Sequence, residues 1–325
     1  MRRRLLLTTA LAASVALALT ACGTTQPAAT GTASTGKSIT LTDASGTKIH
    51  LDGPATKIVG TEWNVVESLI SLGVNPVGVA DVKGYKEWDT AAPLETAATD
   101  IGTRGEPSLD TIASLSPDLI VATTDLSSAS VKQLRQIAPV LQVRSANASG
   151  QVQQMLSNVD LIAKATGTQT KAASIEASFE KTVADGKKAI KAAGHSGERF
   201  AFADGWVDSN QVGIRPYVKG SLIGDVTSDL GLTNAWTLTG DKDYGLASTD
   251  VEGLTKLGDV QFLYITNASE GDDVFADVLG KNAIWKSLPF VKDDQVHRLA
   301  DGIWMFGGPA SMEAYIHAVV KALTK

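Results

Sequence analysis

The chain has 325 residues, with 29 Lys+Arg against 35 Asp+Glu, a formal charge of −6 at pH 7 and 43% apolar residues. This is globular composition, which excludes disordered, collagen-like and polytopic membrane chains, and the acidic balance argues against a nucleic-acid surface, which needs clustered Lys and Arg. The single Cys excludes a disulfide framework, a redox CxxC pair and a thiolate zinc cluster.

Arg2, Arg3 and Arg4 precede an apolar stretch over 5–19. About 15 apolar residues fall short of the roughly 20 needed to span a bilayer. A basic start, a short apolar run and a small-residue exit read as a secretory signal over 1–21. The exit, Leu19-Thr20-Ala21-Cys22, resembles the bacterial lipobox. Cys22 is therefore the expected lipidation site, and its acyl chains would anchor the protein stably on the extracytoplasmic face of the cell membrane. Loss of the three arginines with the signal takes the formal charge to −9. Residues 22–37 are rich in Thr, Ala, Gly and Ser without apolar periodicity, and read as a flexible tether. The folded body is expected from Ser38.

Segments 39–41 and 48–51, parted by Ala44-Ser45-Gly46, predict a hairpin. Strands are predicted over 58–60, 77–80, 119–122 and 140–143, with helices over 64–72 (Asn64 as cap, Gly73 as stop), 109–115 and 131–137. From 151 to 193 Pro is absent. Met155, Val159, Ile162 and Ala163, then Ile175, Phe179 and Val183, fall at helical spacing around a break at Thr166-Gly167-Thr168. Two helices of about 18 and 24 residues are expected there. Strands resume over 199–203, 260–265 and 296–299, with helices over 221–230, 251–257, 274–279 and 311–323. Strand–helix alternation with short links predicts an α/β fold with mainly parallel sheets. The expected division is a first lobe over 38–148, a helical bridge and start of the second lobe over 149–193, and a second lobe over 194–325. In this reading two Rossmann-like lobes are joined by a long rigid helix, with a ligand cleft between them and only small closure.

The chain contains no GxSxG, P-loop, GxGxxG or HExxH motif, and His50, His195, His297 and His317 are scattered. No catalytic residue or protein-held metal is assigned. Aromatic residues, in contrast, sit in turn-rich segments: Tyr85 and Trp88 in Lys83-Gly84-Tyr85-Lys86-Glu87-Trp88, read as a loop; Tyr244 in Asp241-Lys242-Asp243-Tyr244-Gly245; Trp304 and Phe306 in Asp301-Gly302-Ile303-Trp304-Met305-Phe306-Gly307. Such loops at strand ends, with one or two Arg, can wall a cleft for a mid-sized amphipathic ligand.

Several stretches resemble the ferric-siderophore branch of the class III solute-binding proteins of bacterial ABC importers. They are Glu62-Trp63-Asn64 with Leu72-Gly73-Val74-Asn75-Pro76, Ile101-Gly102-Thr103-Arg104-Gly105-Glu106-Pro107, Ser116-Pro117-Asp118, Gly231-Leu232-Thr233-Asn234-Ala235-Trp236, Ile284-Trp285 and Ile303-Trp304-Met305-Phe306. Order and spacing are similar to the hydroxamate-binding members from about Ile58 onward. The resemblance implies a receptor without enzymatic activity or cofactor that binds a hydroxamate-type, ferrioxamine-like ferric siderophore as a monomer. It would deliver the chelate to a permease and its ATPase, the iron being held by the siderophore. It implies a binding role for Arg104, whose fork of donors suits the chelate's oxygens, for Trp88, Trp304 and Phe306, and for Tyr244 where the family has Trp. Trp63, Tyr85, Arg215 and Tyr217 are further candidates. A small polar residue near Ser127 replaces a family tyrosine. Permease docking through one acid per lobe implies Asp110, with Glu106 beside it, and Asp225 or Asp229. Alternatives are haem or cobalamin on the same fold, with Tyr85, Tyr217 or Tyr244 available to haem, and an anchored siderophore-processing enzyme.

Overall fold

The computed structural model of the chain describes residues 38–209 and 211–324, so the signal, Cys22 and the 22–37 tether lie outside the described residues. The hairpin forms as β1 (Ile39–Thr42) and β2 (Lys48–Leu51), in register Ile39↔Leu51. Asp43 shapes its turn by accepting from the backbone N–H groups of Ser45 and Thr47. Ile49 and Leu51 then pack into the core of the first sheet.

That sheet is built from β3 (Ile58–Gly60), α1 (Trp63–Ser71), β4 (Gly78–Val79), α2 (Val82–Trp88), β5 (Thr99–Asp100), α3 (Leu109–Leu115), β6 (Leu119–Thr123), α4 (Ser128–Leu134) and β7 (Val140–Val143). The strand order is β5-β4-β3-β6-β7, and all pairings are parallel. β3, β6 and β7 are buried throughout, which is why they read as unbroken apolar runs rather than alternating ones. The chain winds one way from β3 and the other way from β6. The carboxyl ends of these two neighbours lead to Glu62 and Asp125, and such a switch point is where open α/β sheets bind ligands.

Three local expectations change here. Glu62, not Asn64, caps α1, its carboxylate accepting from Trp63 N at 3.0 Å. The segment expected as a loop around Tyr85 is helical, because Asp81, in a left-handed conformation, caps Gly84 N at 3.0 Å. Gly84 is required there: a Cβ would meet the Trp63 ring at 2.5 Å. α4 begins earlier than expected because Ser127 caps it, accepting from Ser130 N at 3.1 Å.

Next come α5 (Gln151–Thr166, 16 residues) and α6 (Gln169–Ala192, 24 residues). Both span the molecule. Val159, Ile162 and Ala163 of α5 and Ala172 of α6 belong to the core of the first sheet. Met155 of α5 and Phe179 and Ile190 of α6 belong to the core beside the second. The second sheet comprises β8 (Arg199–Asp208), β9 (Gln211–Pro216), α7 (Leu222–Asp229), β10 (Thr233–Asn234), β11 (Gln261–Tyr264), α8 (Ala283–Ser287), α9 (Pro289–Lys292), β12 (Val296–Arg298) and the closing α10 (Pro309–Leu323). Its order is β10-β8-β11-β12, parallel, with β9 antiparallel to β8. The strand expected over 199–203 thus runs on to Asp208 and folds back as a hairpin. Gly213, opposite Trp206, lets the indole lie across the partner strand; a Cβ there would meet that ring at 2.6 Å. The helices expected over 251–257 and 274–279 are single turns, at Gly253–Lys256 and Val274–Val278. One turn is too short to repay the cost of helix nucleation.

The seam between α1 and α10 is polar. Gly308 offers no side chain to cap α10, and Glu67 of α1 does so instead. Its carboxylate accepts from Gly308 N at 2.6 Å, Ser311 N at 2.8 Å and Ser311 Oγ at 2.9 Å. Complete burial pushes the Glu67 carboxyl up against these bonds. Burial and the neighbouring Glu67 push Asp89 well up. Asp89 Oδ1 takes Ser311 Oγ at 3.3 Å, while Oδ2 is buried without a hydrogen-bond partner. The pair therefore retains a proton that the unfolded chain releases near the ordinary carboxylate range of about 4. Above that range the folded state binds more protons than the unfolded one, so stability declines with rising pH until the raised values are passed. Asp89→Asn is expected to flatten this decline and to raise stability at neutral pH. Urea denaturation from about pH 5 to about pH 8 would measure it, and a flat wild-type profile would refute the shared proton.

Candidate functional site

A cavity of about 1030 Å³ lies between the two sheets and is lined from both. Its residues follow the strands that aim at it: Glu62 and Trp63 after β3, Asp125 after β6, Ile265 to Asn267 after β11. Trp304 and Phe306, on the loop before α10, also line it. Trp304 packs edge-on against Trp63 at 4.7 Å, Phe306 at 5.2 Å and Trp88 at 6.0 Å, and Phe306 reaches Tyr244 at 5.7 Å. Trp63 is fixed by its Nε1–H, which donates to Ala80 O at 3.1 Å. Trp304 Nε1 and Asn64 Oδ1 are buried without a hydrogen-bond partner, an uncommon state for polar atoms.

Two guanidiniums face this aromatic surface, and each is held by a carboxylate. Arg104 lies over Trp63 at 4.0 Å and Trp304 at 5.2 Å, and donates through Nη1 to Glu62 Oε1 at 2.7 Å. Its other N–H groups donate to no acceptor among the described residues. Arg215 lies over Phe306 at 5.4 Å, Tyr217 at 5.8 Å and Trp206 at 6.0 Å, and grips Asp204 through Nε at 2.9 Å and through Nη2. Burial pushes the Asp204 carboxyl up, an effect that its bonds to Arg215 and Tyr217 only partly reverse. The two-pronged geometry is that of an ion pair. Hydrogen bonds also cross from one sheet's elements to the other's. The Tyr244 hydroxyl, kept protonated by burial and by Asp125, donates to Asp125. Trp88 Nε1–H donates to Glu270 Oε1 at 2.7 Å, and Asn267 Nδ2–H donates to Glu87 O at 2.7 Å.

The structure thus gathers Arg104, Trp63, Trp88, Tyr244, Trp304, Phe306 and Arg215 at one cavity. It withdraws Tyr85, whose ring is fully buried behind Trp63 and whose hydroxyl donates to Ala92 O at 2.5 Å. Spacing in a turn-rich segment cannot show that a helix forms and turns this ring inward. Tyr217 is also buried; it backs the wall, its hydroxyl donating to Asp204 Oδ2 at 3.3 Å, and lines a separate void of about 30 Å³. Asp110, in the first turn of α3, Glu106 and Asp229 are exposed and do not line the cavity. Asp225 is drawn onto the start of α5, accepting from Gln151 N at 3.3 Å. Sequence reasoning missed Glu62, Asp125, Asp204, Trp206, Glu270 and Asp272, all of which line the cavity. Glu62 stands beside Trp63 in one of the family-like stretches, but the carboxylates carry no motif that marks a cavity wall.

Known proteins share this arrangement of elements. A family model described as periplasmic binding protein matches residues 58–301. The iron(3+)-hydroxamate-binding protein FhuD of Bacillus subtilis is 31% identical over 270 residues, covering 78% of this chain and 77% of that protein. The Fe(3+)-citrate-binding protein YfmC of the same organism is 29% identical over 275 residues, covering 84% and 82%. The crystal structure of the Fe3+–Desferal-bound siderophore-binding protein FhuD from Vibrio cholerae superposes with a TM-score of 0.73 at 24% identity, covering 83% of this chain and 98% of that one. That likeness is one of fold.

Tyr85→Phe tests the withdrawal of Tyr85. Removing one buried hydroxyl is expected to lower unfolding free energy by about 1 kcal/mol and to leave ligand affinity unchanged. A large loss of affinity at unchanged stability would return Tyr85 to the site.

Proposed function

The chain belongs to the periplasmic binding protein family, and we propose that it is a lipid-anchored extracytoplasmic receptor that binds a ferric siderophore of hydroxamate type and passes it to an ABC importer. The observation that carries this reading is the stacked guanidinium of Arg104. One edge is fixed on Glu62 and its face rests on two indoles, so its remaining N–H donors are preorganised toward a cavity with aromatic walls. A saturated ferric hydroxamate presents a cluster of oxygens on an apolar, roughly globular body, and suits such a surface: oxygens to the fork of donors, methylenes to the rings. The chelator supplies the ligands of the iron, and the protein meets only the chelate's outside. Anchoring rests on the lipobox-like Leu19-Thr20-Ala21-Cys22. Delivery rests on exposed acids that do not line the cavity, Asp110 first among them. Among the described residues no helix is long and apolar enough to cross a membrane.

Titration of the full-length chain in detergent with neutral ferrichrome, followed by tryptophan quenching, tests the reading. Saturable quenching is expected, and Arg104→Ala should weaken it well over tenfold, since hydrogen bonds to a charged group contribute about 1.5–3 kcal/mol. Unchanged affinity would take Arg104 out of the site. Asp110→Ala should lower iron uptake in cells and leave ferrichrome affinity intact; lost affinity would overturn its docking role.

A further inference from the structure

The charges around the cavity are unevenly distributed, beyond what the acidity of the whole chain requires. Among the described residues that line it, Glu62, Asp125, Asp204, Glu270 and Asp272 are acidic, and only Arg104 and Arg215 are basic. No Lys or His is among them. Both guanidiniums already have a carboxylate partner from their own side of the cavity, Arg104 from Glu62 at 2.7 Å and Arg215 from Asp204 in a fork. The remaining three carboxylates are not matched by any cation of the lining. Tyr244 and Trp88 donate to two of them, Asp125 and Glu270, but neutral donors leave the charge in place. Asp272 sits exposed at the rim. The indoles and phenyl rings between these groups add the negative face of their quadrupoles, which attracts cations. An anionic ligand entering here meets unpaired negative charge. It meets positive charge only at the open donors of Arg104, whose charge Glu62 already offsets, or by displacing Asp204 from Arg215.

Resting on the siderophore reading, we infer that Glu62 and Asp204 set the charge specificity of the cavity: by holding both arginines they reserve it for ferric chelates that are cationic or neutral and turn anionic ones away. The favoured class is an iron-saturated hydroxamate bearing a free ammonium group, whose charge lies against the unmatched carboxylates while its oxygens take the open donors of Arg104. Glu62 and Asp204 are positioning residues that act through Arg104 and Arg215. Their signature is therefore the ratio of affinities for ligands of opposite sign, which a purely structural role would not move.

The experiment titrates the full-length chain in detergent with cationic ferrioxamine B, neutral ferrichrome, and anionic ferric dicitrate and ferric enterobactin. The wild type is expected to bind ferrioxamine B at least tenfold more tightly than either anionic chelate, and the preference should shrink as salt is raised, because the exposed part of the field is screened. Glu62→Gln and Asp204→Asn should each narrow that ratio about tenfold, chiefly by gaining affinity for ferric dicitrate. Glu62 also caps α1, so Asp204→Asn carries the test where Glu62→Gln fails to fold; Asp272→Asn, at an exposed site that holds no arginine, measures the contribution of the unmatched carboxylates alone, with a narrowing of about threefold. Equal affinity of the wild type for both signs, or a ratio unchanged in folded Glu62→Gln and Asp204→Asn proteins, would overturn the charge assignment and leave the receptor reading intact. Failure of every ferric chelate to bind would overturn both.

Discussion

The Glu67 carboxylate at the start of α10 is the contact on which the cavity depends. It belongs to α1, behind the switch point of the first sheet, and it fixes Gly308 and Ser311, immediately after the loop that carries Trp304 and Phe306. A helix start in need of a cap is thus filled from another layer of the fold. Three hydrogen bonds to one fully buried carboxyl offset part of a desolvation penalty that still holds its pKa above the ordinary value. Apolar packing alone is non-directional; these bonds determine where the two aromatic residues stand relative to Trp63.

Given that placement, the two guanidinium stacks follow from simple electrostatics. A guanidinium half removed from water needs partners on its edge and on its face. Arg104 finds Glu62 and the indoles of Trp63 and Trp304; Arg215 finds Asp204 and the rings of Phe306, Tyr217 and Trp206. Each ion pair forms within one side of the cavity, so the charged groups are in position before any ligand arrives. Preorganisation of this kind lowers the ordering cost of binding.

How much of this was legible depends on the range of the interaction concerned. Strands such as β6 and β7 declare themselves as apolar runs, and α5 and α6 as a Pro-free stretch with helical spacing, because burial on both faces or along one stripe leaves a local pattern. Arg104, Trp88, Trp304 and Phe306 could be picked out from their motifs. Tyr85 could not be told from them, because whether its ring faces the cavity or the core is decided by Asp81 capping α2 and by Gly84 lying on Trp63. The β8–β9 hairpin was overlooked because its outer half is partly exposed and only Gly213 marks the crossing of Trp206. The acids that partner the arginines were invisible for a plainer reason. Glu62 and Arg104 are 42 residues apart, and a surface acid and a cavity acid look alike in one dimension.

The same contacts limit how the cavity can move. α5 and α6 each contribute side chains to the cores beside both sheets, so hinging the sheets apart would expose Met155, Val159, Ile162 and Phe179 at about 25 cal/mol for each Å² of apolar surface. The bonds that cross the mouth are of a different order. Tyr244 to Asp125 and Trp88 to Glu270 lie where water can replace either partner, and each is worth about 1 kcal/mol net. Opening therefore costs least where the mouth is closed by these polar pairs and most along the helical bridge. Access by local release of Tyr244 and Trp88, with the two sheets held in place, is the motion this balance favours. It also returns both rings to the wall once a ligand has displaced the water.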